Sequence, residues 1–256
     1  MTTRRKRERQ ELLAQYYDET KEIIILTADY KNRLWDNACD LIAWMEDGEL
    51  HNHHGWFRWL DDKWASSFLP LNAYRLRVRQ HKDFASSFLL LDVLQKDVTH
   101  PALQAVCEAW LRPTVWQEAP FPAFILNKRI SNFEADIDWL GAPIHVSLEQ
   151  EADHETPPDA VIATLRKLYA APEQWQTRLK NWACDELLSE AQTWQKKNKA
   201  PLSAEAFRQR LRLQEIYCYG DGSFSACFDS DGIFAKLVTF VEVNPDDSLK
   251  EVGITE

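Results

Sequence analysis

Glycine is the conspicuous shortage, with seven residues in a chain of 256. Glycine reaches positive φ without steric cost, so a chain this poor in it has few loops able to cradle a phosphate. No GxGxxG, P-loop or GxSxG pattern occurs, which removes the usual signatures of dinucleotide, nucleotide and hydrolase chemistry. Long apolar runs are missing too. The longest, such as IIIL and FLLL, fall far short of the roughly 20 residues a membrane helix needs. No apolar segment follows the first charges, as a secretory signal would require. No membrane association is expected. The five cysteines, Cys39, Cys107, Cys184, Cys218 and Cys227, form no CxxC and share no zinc-ligand spacing with histidine. They read as reduced, mostly buried thiols of a cytoplasmic protein, and no cofactor is expected.

What the chain does have is tryptophan and acid. Eleven tryptophans supply large apolar area with one polar handle each, suited to a core first and to binding surfaces second. The net charge is -10, yet MTTRRKRERQ alone carries +4, which leaves -14 for residues 11–256. Such a body repels nucleic-acid phosphate and anionic lipid and attracts basic partners. The basic head reads as a solvated, frayed helix start, with a nucleic-acid or lipid contact as the alternative.

Periodicity divides the chain. RERQELLAQYYDE reads as a short charged helix and EIIILTA as a buried strand. From Cys39 to Arg79 the apolar pieces are broken by EDG, HNHHG, LDDK and LPLN, as in strands joined by turns. In AYRLRVR, Tyr74, Leu76 and Val78 alternate with Arg75, Arg77 and Arg79. That gives a strand one apolar and one arginine face, with SSFLLLDVL as its neighbour. HPALQAVCEAWLRP reads as a helix. A Pro-rich connector leads to AFILNK, SNFEADIDWLG and PIHVSLEQ, with Gly141, Ala142 and Pro143 forming the turn between the last two. Helical stripes follow: Val161, Leu165, Leu168 and Tyr169, then Trp175, Leu179, Trp182 and Ala183. Ser203 suits an N-cap for AEAFRQRLRL. EIYCY, SFSACF and IFAKLVTFVEV read as closing strands, separated by GDG and DSDG turns.

Three stretches invite chemistry. HNHHGW at 51–56 holds three of the seven histidines, but zinc needs three or four converging ligands. His51 and His53 share a strand face and no further set supplies the rest, so the stretch reads as a hydrated strand end or hairpin tip, with no metal. DSDG at 229–232 resembles part of a calcium loop, yet an EF-hand ending there would need ligands at Cys227 and Val238. A β-turn fits instead. The third is the ladder of Glu134, Asp136 and Asp138, outward on a strand that turns Phe133, Ala135, Ile137 and Trp139 inward. Carboxylates two apart lie about 6.5–7 Å from each other, within the range of inverting glycosidases. A catalytic pair, however, needs environments that separate its two pKa values, and three like carboxylates on one exposed face offer none. The ladder reads as a solvated face or as a docking surface. Glu134, Asp136 and Asp138, with Asp229 and Asp231, are the candidate partner-binding residues; no catalytic residue is assigned.

Three stretches are similar to those of a family. NFEADIDWLG, TLRKLYAAPEQWQTRLKNWACDELLSEAQTW with the later EAFRQRLRLQEI, and DGSFSACFDSDGIF with VEVNPDDSLKEVGI resemble the bacterial domain of unknown function numbered 2262, over about residues 124–254. PLNAYRLRVRQHKDFASSFLLLDVLQKDV resembles the β-rich region that often precedes it. The resemblance implies a fold and no established activity. In the resembled pattern an aromatic, a glycine and a histidine follow the last acidic turn; here Ala235, Lys236 and Leu237 stand there, so chemistry resting on that histidine is absent.

The expectation is an α+β chain: a basic tail at 1–19, a mainly β domain at 20–112, and an α+β domain at 113–256 built of a β-meander, helices and a closing antiparallel sheet. The expected function is a non-enzymatic interaction module for a basic protein partner, such as a toxin neutralised by an immunity protein. The alternatives are an enzyme of unrecognised class with its site between the halves, and a nucleic-acid contact through the basic N-terminus.

Overall fold

The computed structural model describes residues 3–28, 37–64, 67–151, 155–194 and 202–255. They form two compact units, Met1–Arg112 and Pro113–Glu256, and the fold is α+β as expected.

The first unit holds α1 (Thr3–Leu13), β1 (Lys21–Thr27), β2 (Ala38–Glu46), β3 (Glu49–His51), β4 (Gly55–Arg58), β5 (Ala73–Gln80), β6 (Ser87–Gln95) and α2 (Pro101–Leu111). β1 pairs antiparallel with both β2 and β5; β5 pairs with β6, β6 runs parallel to β4, and β4 returns to β2. The ring β1–β2–β4–β6–β5 therefore closes on itself, a five-stranded Greek-key barrel of the OB type. Ile23, Ile25, Leu41, Phe57, Leu76, Val78 and Phe88 fill it. Outside the ring a second cluster, Leu26, Ile42, Ala43, Met45 and Ala73, packs with Leu103 of α2. The arginine face of β5 is real: Arg75 and Arg77 are exposed and Arg79 half-buried. Arg77 lies 3.7 Å from Glu22 and Arg79 3.5 Å from Asp18.

β3 folds back on β2 through Asp47 and Gly48, at φ 50° and 85°, the two positive values of a tight I′ hairpin. EDG is thus the hairpin tip and HNHHGW is not. His51 ends β3 and residues 52–54 lead into β4. The rings pack against tryptophans: His51 stacks on Trp44 at 4.9 Å, His53 meets it edge-on at 4.5 Å, and His54 meets Trp110 at 5.2 Å. Among the described residues, no group of three or more His, Cys, Asp and Glu side chains converges as a metal site.

The second unit holds β7 (Val115–Trp116), β8 (Phe124–Asn127), β9 (Asn132–Trp139), β10 (Ala142–Glu149), α3 (Asp159–Ala170), α4 (Pro172–Trp194), α5 (Ala204–Arg210), β11 (Arg212–Cys218), β12 (Phe224–Asp229), β13 (Val238–Val243) and β14 (Leu249–Thr255). The strands make one sheet in the order β14-β13-β12-β11-β10-β9-β8-β7. β11–β14 are antiparallel, as are β7–β10, but β10 and β11 are parallel neighbours. Parallel strands need a long crossover, and α3, α4 and α5 provide it. α3 buries Val161, Leu165 and Leu168; α4 buries Trp175, Leu179, Ala183, Leu187 and Ala191. Ser203 caps α5 by accepting the Ala206 N–H at 3.1 Å. These stripes share a core with Phe133, Ile137, Val146, Ile216, Phe224 and Val241 of the sheet.

Two strand assignments shift. The β9–β10 turn is Leu140–Gly141, both at positive φ, so Ala142 and Pro143 already belong to β10. IFAKL is not strand: the chain turns through 231–236, with Asp231, Gly232 and Ala235 at positive φ, and Ile233 and Phe234 plug the core. β13 starts at Val238.

The basic head and the barrel meet at Tyr16, which is 1% exposed. Its backbone bridges His81, Tyr17 N–H donates to the Gln80 carbonyl, and Lys82 N–H donates to that of Gln15. Chain 15–17 is therefore sewn to the barrel, upstream of the expected boundary at 19. Removing residues 1–10 should leave cooperative urea unfolding unchanged. Tyr16→Ala should cost about 3 kcal/mol. An unshifted urea midpoint for Tyr16→Ala would show the seam to be dispensable.

Candidate functional site

With α3–α5 packed on one face of the second unit's sheet, alternate residues of its strands project from the other face. The pairing register lines them into two rows. One row runs Asp136, His145, Glu215, Cys227, Phe240, Gly253 across β9 to β14. The next runs Ile125, Glu134, Ser147, Tyr217, Ser225, Glu242, Glu251 from β8 to β14. Five carboxylates stand in these rows, with Tyr217 and Phe240 among them. Asp136 and Glu251 are exposed; Glu134, Glu215 and Glu242 are half-buried.

The ladder is not a bare row of solvated acids. His145 Nδ1 lies 3.0 Å from Asp136 Oδ1, and its Nε2 4.0 Å from Glu134. Glu134 accepts from Asn127 Nδ2 at 3.0 Å. Asp138 sits at the hairpin end and accepts the Gly141 N–H at 3.0 Å. Asp229 and Asp231 stand apart from these, at the end of β12 with two strands between. Asp229 accepts the Asp231 N–H at 2.9 Å, closing the DSDG turn, and Asp231 receives Arg210 Nε at 3.2 Å. The structure thus brings Glu134 and Asp136 together around His145, leaves Asp138 as a turn cap, and keeps Asp229 and Asp231 in a separate turn.

Further along the face, the Asn132 amide lies 3.1 Å from the Ser147 hydroxyl and 3.0 Å from that of Tyr217. The rings of Tyr217 and Tyr219 are 4.6 Å apart, and burial raises the pKa of both phenols. Phe240 lies flat over Gly253, where any Cβ would come within 2.7 Å of the ring. Only glycine lets that aromatic settle across the strand.

His145, Glu215, Tyr217, Phe240, Glu242 and Glu251 escaped the sequence reading. His145 alone left a local signal: with the turn at Leu140–Gly141, pairing Trp139 with Ala142 sets His145 opposite Asp136. The others join the face only through long-range pairing. The surroundings of the thiols disfavour the thiolate. Burial raises the pKa of all five, that of Cys218 to about 12, and in Cys227 the Glu215 carboxylate adds to it.

The fold and this face define a two-unit chain: an OB-type barrel followed by a sheet with helices on one side and an acidic, aromatic surface on the other. Residues 118–254 match the family described as an uncharacterized protein conserved in bacteria, DUF2262. That match spans more than half of the chain, and the chain belongs to this family. Residues 8–110 match a domain of unknown function, DUF7021. No curated protein and no solved structure gives a significant match. Among the described residues, no helix is long and apolar enough to cross a membrane.

Trp139 anchors the ladder strand from below: it is 3% exposed, and its Nε1 donates to Gln176 of α4 at 3.1 Å. Trp139→Ala should cost about 3–5 kcal/mol, against about 1 kcal/mol for Asp138→Ala, both measured by chemical unfolding. The reverse ranking would mean that the two faces of β9 are exchanged. For the thiols, iodoacetamide followed by mass spectrometry should label Cys107 and Cys227 slowly in the native protein. Cys39, Cys184 and Cys218 should react only after unfolding. Fast labelling of a buried one would contradict the packing.

Proposed function

We propose that the chain is a cytosolic, non-enzymatic protein-interaction module whose second unit presents the acidic face of its sheet to a basic protein. Its most concrete form is an immunity protein that masks the cationic surface of a toxin. The single observation that carries the reading is the pair of transverse rows, in which five carboxylates surround Tyr217 and Phe240. Acidic side chains steer a cationic partner and raise the rate of encounter, while half-buried aromatics supply anchoring area near the centre of an interface. What supports docking over chemistry is that the ladder acids are already engaged, by Asn127, His145 and the Gly141 amide. The raised thiol pKa values point the same way.

The test uses the product of the gene adjacent to this one. Expressed alone it should halt growth, and this chain should restore it. A variant carrying Asp136→Lys, Glu215→Lys and Glu251→Lys should remain folded, since the exposed Asp136 and Glu251 each contribute less than about 1 kcal/mol and a lysine at the half-buried Glu215 position can extend its charged end to water. The same variant should associate more slowly, with a weaker dependence on salt, and fail to rescue growth. Full rescue by the folded triple variant would remove this face from the function. A neighbour that is harmless alone would remove the immunity reading.

A further inference from the structure

A cavity of about 290 Å³ opens where β10 and β11 begin, under α4. Its origin lies in the register. The parallel pairing starts only at His145 with Glu215, and β11 is irregular between Leu213 and Glu215. Upstream of that point the two strands are not yet paired, and the gap is roofed by the β9–β10 turn. Trp139, Ile144 and Leu213 give it apolar walls, and Lys180 and Arg212 line it beside Gln176.

Its charge runs against that of the chain. No acidic residue lines it, although residues 11–256 sum to -14. Lys167, Lys250 and Lys21 each hold a carboxylate. Among the described residues Lys180 has none within 4.0 Å, and burial alone lowers its pKa. A half-desolvated ammonium without a counter-ion is a standing cost, and an anion seated beside it would relieve that cost.

We infer that this cavity is a binding site for a small organic carboxylate with an apolar body, its carboxylate held by Lys180 and Arg212 and its body laid against Trp139, Ile144 and Leu213. The volume lies at the lower end of ligand pockets, which suits a ligand of single-ring size. Two cations beside mostly apolar walls match one carboxylate with a ring-sized body, whereas a phosphate selects a cradle of backbone N–H groups, and Pro143 on the rim has no N–H to give. The site lies within the second unit and does not depend on the acidic face having a partner.

The test is fluorine NMR of the full chain with para-fluorobenzoate, and with para-fluorobenzamide as its neutral twin. The benzoate should bind saturably, and at least about tenfold more tightly than the amide, the typical effect of one charge-assisted hydrogen bond. Its addition should shift the Trp139 indole and Ile144 methyl signals. Lys180→Met should abolish the preference for benzoate while unfolding at an equal or higher temperature, because a half-buried cation without a counter-ion has been removed. The proposal is overturned by equal binding of the two probes, by no saturable benzoate binding, by shifts confined to other residues, or by a Lys180→Met protein that keeps the preference. The shifts in the unaltered chain decide the matter even if that variant does not fold.

Discussion

Four residue pairs, His145–Leu148 beside Glu215–Cys218 and running the same way, hold the second unit together. Parallel neighbours cannot be joined by a tight turn. The chain must leave the end of β10, travel back, and re-enter at the start of β11. It does so through α3, α4 and α5, and their shared core with the inward strand residues commits them to one side. The opposite face is thereby left to polar and aromatic residues. A slip of one residue in this pairing would turn Ile216 and Cys218 outward and Glu215 and Tyr217 into the core. Both transverse rows depend on that register, and so does the cavity at the unpaired start of the two strands.

The first unit solves a different problem, that of the sheet edge. β1 is paired on both sides, and ring closure leaves only the short β3 beyond it. The consequence shows in β2, of whose nine residues seven are buried. Leu41 and Trp44 face the barrel interior, while Ile42, Ala43 and Met45 face the cluster that contains Leu103 of α2. A strand covered on both faces reads as a continuous apolar run, which is why ACDLIAWM lacks the alternation that marks β5 and β9.

That contrast explains what could be read from the residues in advance. Strands with one wet face carry their geometry in their own spelling: AYRLRVR and NFEADIDW placed arginines and carboxylates on outward faces, and the helical stripes around Leu165 and Leu179 were equally plain. Contacts between distant segments left no such mark. Nothing local in PIHVSLEQ or RLQEIYC says that they lie side by side, so Glu215 and Tyr217 could not be joined to the ladder. IFAKL has strand-like composition but turns, because Ile233 and Phe234 gain more by filling the core than by extending a ladder. HNHHGW looked hydrated because histidine is polar, yet the neighbouring tryptophans offered its rings a stacking surface.

Net charge by itself misleads about where ligands go. The summed -14 of residues 11–256 sets the field that an approaching molecule meets, and salt screens that field beyond about 8–10 Å. Inside that distance the local set decides. On the sheet face the carboxylates are met by the His145 ring and, at Glu242, by Lys250. In the cavity the balance is reversed: Lys180 and Arg212 line it with no acid beside them, and burial lowers the Lys180 pKa. Among the described residues, carboxylates pair with Lys21, Lys63, Lys167 and Lys250, at positions open enough to water that pairing contributes little. Lys180 is half-buried, has no carboxylate within 4.0 Å among the described residues, and is the place where an absent counter-ion matters. An acidic protein can therefore draw basic macromolecules to one face and still hold a small anion a few residues away, because long-range steering and short-range desolvation act on different scales.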